Sequence, residues 1–139
     1  MKNIKLRSLL AALPLAAAAL LAGCASVAPS TPETIVQQRA QKRLELLQVR
    51  DFDKAYEYLA PSYRAVNSLQ AYRNDFGSGV GWVDPRASSV KCEDENRCIV
   101  TVNLGVRVVA PGFSKPIEST FWEIWVKDED QWWFFKISN

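Results

Sequence analysis

The fold class is decided by one stretch near the C-terminus, Phe121-Trp122-Glu123-Ile124-Trp125-Val126-Lys127-Asp128-Glu129-Asp130-Gln131-Trp132-Trp133-Phe134-Phe135. Its aromatic and β-branched residues favour strands, and the acidic triplet at 128–130 favours a turn. We therefore expect an antiparallel hairpin with strands over 117–127 and 131–137. Residues 132–135 are apolar on both sides of the strand, which predicts that something covers each face of the sheet there.

Two further strands are predicted upstream of this hairpin, over 88–93 and 97–109, and Pro111-Gly112 is expected to form the turn that follows them. Apolar side chains recur at every second position of the longer strand. Since alternate residues of a strand point to the same face, these side chains predict a core-facing row: Val100, Val102, Leu104, Val106 and Val108.

Three amphipathic helices are expected before the sheet. The first begins with Thr31 as N-cap and Pro32 at the first helical position, and it continues to about Arg50. Asp51 is expected to cap the second helix, which Pro61 ends, and Ser68 to cap the third, which ends at Gly77-Ser78-Gly79. The apolar stripes are Val36, Ala40, Leu44 and Leu47 in the first helix, Phe52, Ala55, Tyr56 and Leu59 in the second, and Leu69, Tyr72 and Phe76 in the third.

Cys92 and Cys98 flank a short polar segment that is typical of a hairpin loop. Cysteines in this position face each other across an antiparallel pair, within disulfide distance, and such a bridge contributes about 2 kcal/mol. A zinc site is the alternative. The chain contains no histidine, and two thiols alone make a poor zinc site, so we expect a disulfide, no metal and no cofactor.

The N-terminal segment Leu21-Ala22-Gly23-Cys24 resembles the lipobox of bacterial lipoproteins. The resemblance implies that residues 1–23 are a signal peptide and that Cys24 becomes the lipidated first residue. A basic start and an apolar run over 9–21 agree with this, and the run is too short for a membrane span. The alternative is an ordinary secretory signal cut after Ala22-Gly23.

Removal of residues 1–23 would leave 116 residues, enough for one domain. We expect a short tether over 24–31 and a single domain over 32–139. Three of the 17 basic residues lie in the signal peptide, so the remaining 14 face 15 acidic residues. A net charge of −1 gives no electrostatic reason to expect binding to nucleic acid or to anionic lipid. By resemblance to lipoprotein sorting rules, Ala25 after the lipidated cysteine implies the outer membrane, with the domain facing the periplasm.

The whole pattern resembles the nuclear transport factor two-like family. The resemblance is carried by residues 50–64, by Ser68-Leu69-Gln70-Ala71-Tyr72-Arg73, by Trp122-Glu123-Ile124-Trp125 and by Gln131-Trp132-Trp133. It implies an α+β fold in which N-terminal helices pack on a strongly curved antiparallel sheet, a cone-shaped half-barrel. The family includes ketosteroid isomerase and polyketide cyclases together with members without catalysis, so the resemblance implies no one activity. A His–Asp pair is excluded because histidine is absent.

Two carboxylates are weak catalytic candidates. Glu123 lies among aromatic residues, where an apolar interior would raise its pKa and make it an acid or a base. Asp75 lies on the predicted third helix. The structural alternative for Glu123 is exposure or pairing with Arg or Lys on a neighbouring strand, and for Asp75 it is an ordinary surface charge.

The ligand-binding candidates are Tyr56, Tyr72, Trp122, Glu123 and Trp125, because aromatic residues combine contact area with fixed donors. The tyrosines also fit as helix-to-sheet packing residues. We therefore expect a lipid-anchored envelope protein that binds a small apolar ligand or an envelope protein without catalysis. Its partners would be the membrane and, through the sheet face, a second copy or another protein. The alternative is an isomerase-like or hydratase-like enzyme that uses one of the two carboxylates.

Overall fold

A computed structural model describes residues 29–76 and 81–137 of the 139-residue chain. The predicted signal peptide 1–23, the lipidation site Cys24 and the helix break at 77–79 lie outside the described residues. The elements are α1 Pro32–Gln48, α2 Phe52–Tyr56, α3 Pro61–Val66, α4 Leu69–Asn74, β1 Gly81–Asp94, β2 Arg97–Arg107, β3 Ile117–Asp128 and β4 Gln131–Phe135.

The predicted helix starts are confirmed by their caps. The Thr31 hydroxyl accepts a hydrogen bond from the Thr34 amide, Asp51 accepts from Lys54, and Ser68 accepts from Ala71. Each cap satisfies a backbone N–H that the first turn of a helix leaves without a partner. Among the described helices, none has the length and apolar character required to cross a bilayer.

The prediction of one continuous second helix up to Pro61 was wrong. That helix ends at Tyr56, and Pro61 begins a separate helix, so four helices rather than three precede the sheet. The reason is the last strand. Leu59 forms a bridge with Phe134, and this pairing requires an extended backbone between the two helices. Proline at the first position of α3 is favourable because that position needs no amide donor.

The four strands form one antiparallel sheet in the order β1-β2-β3-β4. The α+β class is therefore confirmed, and the sheet is not closed. Three strand boundaries differ from the prediction by two residues or more. β1 begins at Gly81 rather than at Ser88, and it contains register shifts, one of them beside Asp84, whose φ is 50°. β2 ends at Arg107 rather than at residue 109, so Val108, which was predicted to belong to the core-facing row, lies in the following loop. β4 ends at Phe135 rather than at residue 137.

The turn of the final hairpin determines which residues face the core. Asp128 pairs with Gln131, which leaves a two-residue turn of Glu129 and Asp130 with φ values of 48° and 62°. Positive φ at both positions is typical of a hairpin turn that matches strand twist. Trp125 consequently pairs with Phe134. Trp132 and Phe134, rather than Trp133 and Phe135, therefore share the inner face with Glu123.

The core lies between the helices and the inner face of the sheet. Its fully buried members include Leu44 of α1, Tyr72 of α4 and Trp125 of β3. Two clusters compose it, and both are built from described residues. In the part of the chain that the structure describes, the buried core residues run from Val36 to Trp132, and a chain that begins at residue 29 retains all of them.

Both edges of the sheet receive hydrogen bonds from the helical half. Beside β4, Phe134 N donates to Tyr58 O at 2.8 Å and Ala60 N donates to Phe134 O at 3.0 Å. Arg39 of α1 donates through Nε to Trp132 O at 2.8 Å. Beside β1, two glutamines of α1 contact the backbone at 85 and 87, with bonds of 2.9 to 3.2 Å from Gln37 and Gln41.

The predicted disulfide is confirmed. Cys92 and Cys98 are direct partners in the β1–β2 register, and their sulfur atoms are 1.99 Å apart. Cys98 is fully buried beneath the helices, whereas Cys92 is partly buried. The bridge therefore fastens the β1–β2 hairpin to the core.

Candidate functional site

A charged pair lies in the centre of the core. Arg43 of α1 donates from Nη1 to Oε1 of Glu123 at 2.6 Å. The two residues are only 3% and 2% exposed, and they are the buried charged residues of the described chain. A charge in this position is costly unless it is paired and hydrogen-bonded, so each of the two residues requires the other.

The local sequence explains how the two residues meet. Arg43 follows Val36 by seven positions and precedes Leu47 by four, so it belongs to the apolar stripe of α1. Glu123 pairs with Val100 of β2 and occupies the same inner row as Trp125. The helix packs mainly against β1, and the long Arg43 side chain reaches from it to the carboxylate on β3.

Two aromatic side chains complete the polar contacts. Trp125 Nε1 donates to Oε2 of Glu123 at 3.0 Å, so both carboxylate oxygens accept a hydrogen bond. Arg43 Nη2 donates to the Tyr72 hydroxyl at 3.2 Å. The guanidinium carbon also lies 3.9 Å from the ring centroid of Phe134, a cation–π contact. We call Arg43, Tyr72, Glu123 and Trp125 the core polar cluster.

Within the core polar cluster, the environment shifts the pKa of Tyr72. Burial raises the pKa of the Tyr72 phenol above its ordinary value, and this effect outweighs the attraction of Arg43, which lowers it. The hydroxyl is therefore protonated at neutral pH. Within the described residues, Arg43 Nε is a buried polar atom without a hydrogen-bond partner. The cluster thus leaves one donor unsatisfied.

The core polar cluster holds the carboxylate of Glu123 in a fixed position. A general base needs an oxygen that can reach a substrate proton, and such a contact spans about 3 Å. Both oxygens of Glu123 already accept from protein donors, and the residue is 2% exposed. The cluster can position α1 on the sheet. Proton transfer to a bound molecule would require the Arg43 and Trp125 contacts to open.

The second carboxylate lies elsewhere. Asp75 is the C-cap of α4 and forms an ion pair of 2.8 Å with Lys136, and its side chain is 45% exposed. It does not contact the core polar cluster. In the part of the chain that the structure describes, no three residues among Asp, Glu and Cys come together as a metal site.

The ligand-binding candidates divide into three groups. Tyr72, Glu123 and Trp125 meet in the core polar cluster. Tyr56 packs beside Tyr72 with 5.6 Å between ring centroids, but its hydroxyl donates to the backbone oxygens of Asn67 and Arg64. It therefore joins α2 to the C-terminal end of α3. Trp122 points to the opposite face of the sheet and is 69% exposed.

Sequence reasoning missed Arg43, the central residue of the cluster. A signal was present, because an arginine on the apolar stripe of an amphipathic helix needs a partner inside the protein. Glu123 provides the matching signal, as an acid among aromatic residues of a predicted core strand. Neither residue alone identifies the other.

The outer face of the sheet carries a separate group of apolar side chains. Ile99, Ile124 and Phe135 are cross-strand neighbours on β2, β3 and β4, and Trp122 lies next to this row. Trp122 is 69% and Phe135 is 40% exposed. We call these four residues the sheet-face patch. The patch continues to Ile137, which with Phe135 and Val66 lines a groove of about 240 Å³.

Comparison with known proteins gives a fold likeness. No protein-family model and no curated protein sequence match this chain. A similar solved structure is the solution structure of a SEC-C motif containing protein from Rhodopseudomonas palustris, with a TM-score of 0.56 and 17% sequence identity. The alignment covers 70% of this chain and 73% of that chain. At this identity the likeness shows the fold alone.

Proposed function

We propose that this chain is a lipid-anchored envelope lipoprotein whose nuclear transport factor two-like cone domain binds a protein partner through the sheet-face patch, without catalysis. The observation that carries the binding role is the exposure of Trp122, at 69%. Large apolar side chains grouped on a surface mark contact sites more often than isolated ones do, and tryptophan is the residue most enriched at such sites.

The choice of a protein partner over a small apolar ligand rests on the interior. A ligand pocket in a cone fold would lie between the helices and the inner face of the sheet. The centre of that space is occupied by the core polar cluster, whose members Tyr72 and Trp125 are fully buried. The sheet-face patch, in contrast, is already on the surface.

The same cluster weighs against an isomerase-like or hydratase-like enzyme. That alternative requires a free carboxylate in a cleft. Glu123 is held by Arg43 and Trp125, and Asp75 is held by Lys136 at the surface. Both carboxylates have partners that they would need to leave before they could accept a substrate proton.

The anchor is proposed from the sequence Leu21-Ala22-Gly23-Cys24. Cys24 would carry the lipid, and Ala25 would direct the protein to the outer membrane with its domain in the periplasm. The first helix is capped by Thr31, so only a short tether would separate the lipid from the folded domain. A short tether keeps the domain, and any partner of the sheet-face patch, close to the bilayer.

The partner proposal is tested with the chain that begins at residue 29. Sedimentation equilibrium reports whether a second copy binds, and Trp122→Arg is expected to convert any dimer to monomer. In cells, a photoreactive residue at position 122 tests for a different envelope protein, and the same residue at the exposed position of Lys42 is the control. A monomer that also gives no cross-link specific to position 122 would contradict the proposal.

A further inference from the structure

The loop between β2 and β3 has an unusual composition for an exposed segment. Val109 is 90% exposed and Phe113 is 52% exposed, although most large apolar residues of a small domain are covered. Arg107 precedes the loop and Lys115 lies near its end. Residues 107–117 contain two basic residues and no acidic residue, so the loop is locally positive within a chain that is nearly neutral.

The two cations and the apolar side chains line the same groove. Its volume is about 500 Å³, and its walls include Arg107, Val109, Phe113 and Lys115. Within the described residues, neither Arg107 nor Lys115 has an ion pair or a hydrogen-bonding side-chain partner. Elsewhere on the surface, cations such as Lys42, Lys54 and Arg97 do have acidic partners. The groove therefore combines unneutralised positive charge with exposed apolar surface.

We infer that the β2–β3 loop is a membrane contact that recognises anionic phospholipid. Its cations complement lipid phosphates, and the side chains of Val109 and Phe113 enter the boundary between headgroups and acyl chains. A cationic residue near an anionic bilayer strengthens binding about fivefold, so two such residues give about a 25-fold preference over a neutral bilayer. A protein partner for the loop would instead need acidic and apolar groups together, and it is an outcome of the test.

The loop lies at the end of the sheet opposite to the start of α1. Ser30 and Pro32 share a groove with Glu95 and Asp130, which belong to the β1–β2 and β3–β4 turns. The β2–β3 loop follows the other end of β2, and an 11-residue strand spans about 35 Å. A domain held at both sites would thus lie with its strands along the membrane.

A weak contact is sufficient for a protein that is already tethered. The proposed lipid at Cys24 would confine the loop within a few nanometres of the bilayer, which makes its binding effectively intramolecular. This argument about orientation rests on the anchor proposed above. The affinity of the loop for lipid does not depend on the anchor, and it is measured on the unlipidated chain.

The test is flotation of the chain that begins at residue 29 with vesicles of phosphatidylcholine, with and without phosphatidylglycerol. We expect binding to the anionic vesicles only. Lys115→Gln should lower the partition coefficient about fivefold, and Phe113→Ser should lower it by about fivefold or more. The matched controls are Lys91→Gln, which removes an exposed cation on β1, and Trp122→Ser, which removes the most exposed residue of the sheet-face patch.

Several results would overturn the inference. Equal binding to both vesicle types, or no binding to either, removes the anionic-lipid recognition. An equal loss with Lys91→Gln and Lys115→Gln indicates general charge attraction, and a loss with Trp122→Ser but not Phe113→Ser places the contact on the sheet face. Release of bound protein by soluble glycerol phosphate would indicate a phosphate site rather than a bilayer contact. None of these outcomes depends on lipidation of Cys24 or on a protein partner of the sheet-face patch.

Discussion

Arg43 Nη1 lies 2.6 Å from Oε1 of Glu123, and the two residues are 80 positions apart in the chain. This contact joins the first helix to the third strand inside the core. A buried ion pair adds little stability compared with apolar residues of similar size, because both charges lose their hydration. Removal of one partner is different, since it leaves the other charge buried and unpaired. The pair therefore specifies how α1 sits on the sheet more than it stabilises the fold.

Arg43→Met is expected to lower the free energy of unfolding by about 3–5 kcal/mol, and Glu123→Leu should also destabilise strongly. The double variant Arg43→Met/Glu123→Leu should recover most of this loss, because no charge then remains in the core. Urea unfolding of the four proteins measures the coupling. Lys42→Met is the matched control, because the neighbouring Lys42–Glu45 pair is 61% and 49% exposed and should contribute at most about 1 kcal/mol. Additive effects of the two core substitutions would show that the pair does not act as a unit.

Tyr72 predicts a loss of stability at alkaline pH. Burial raises the pKa of its phenol in the folded protein above the ordinary value of 10.0. Above that pH, the unfolded chain releases this proton while the folded protein keeps it, so stability falls as pH rises toward the folded-state pKa. The decrease reaches at most about 1.4 kcal/mol per pH unit for one group.

The measurement is urea unfolding of wild type and Tyr72→Phe between neutral pH and the alkaline range. Other tyrosines and lysines contribute equally to both proteins, so the difference between the two slopes belongs to Tyr72. We expect the shallower slope for Tyr72→Phe. Parallel slopes would mean that Tyr72 titrates with the same pKa in both states.

Gly105 is expected to tolerate no larger residue. A Cβ at this position would lie 2.9 Å from Pro116 Cβ and 3.3 Å from Val83 Cβ, and both neighbours are stiff side chains. Gly105→Ala should therefore lower the free energy of unfolding by about 1–3 kcal/mol. Gly81→Ala is the control, because its nearest neighbour is Arg107 Cβ at an ordinary 3.6 Å. Equal thermal midpoints for the two variants would contradict the close approach at Gly105.

Cys24→Ser tests the proposed anchor. The substitution removes the thiol that would carry the lipid, so the protein should leave the membrane fraction. Since the buried core residues among those described begin at Val36, the domain should keep its fold. Cell fractionation and the mobility of the processed protein measure the change. If the Ser variant stays in the membrane pellet, an uncleaved signal segment is the better explanation.

Much of the fold could be predicted because its signals are local. Thr31, Asp51 and Ser68 identify the helix starts through a single side chain, and the Cys92–Cys98 spacing identifies a hairpin. The error in the second helix has a non-local cause. Leu59 matched a helical stripe, but its bridge with Phe134 arises from a contact 75 positions away in the sequence. Such a tertiary contact overrides local periodicity.

The candidate site could be predicted only in part. Glu123 was recognised as an acid in an apolar setting, and it is indeed buried. Its partner could not be identified, because the position of Arg43 relative to β3 depends on the packing of helix on sheet. The position of Phe134 also depends on the hairpin turn. Glu129 and Asp130, both with positive φ, set the register that places the Phe134 ring against the guanidinium of Arg43.

The hydrogen bonds along the sheet edges limit how this protein can associate. A free edge strand offers its unpaired amides and carbonyls to any extended chain, and this is the route to strand addition, domain swapping and fibrils. The outward-facing amide of Phe134 donates to the Tyr58 carbonyl, and the Phe134 carbonyl accepts from the Ala60 amide. On β1, Gln37 and Gln41 occupy the groups at Pro85 and Ala87 beside the register shifts. Strand addition is therefore blocked beside Phe134 of β4 and at residues 85–87 of β1, where the outward-facing backbone groups already have partners.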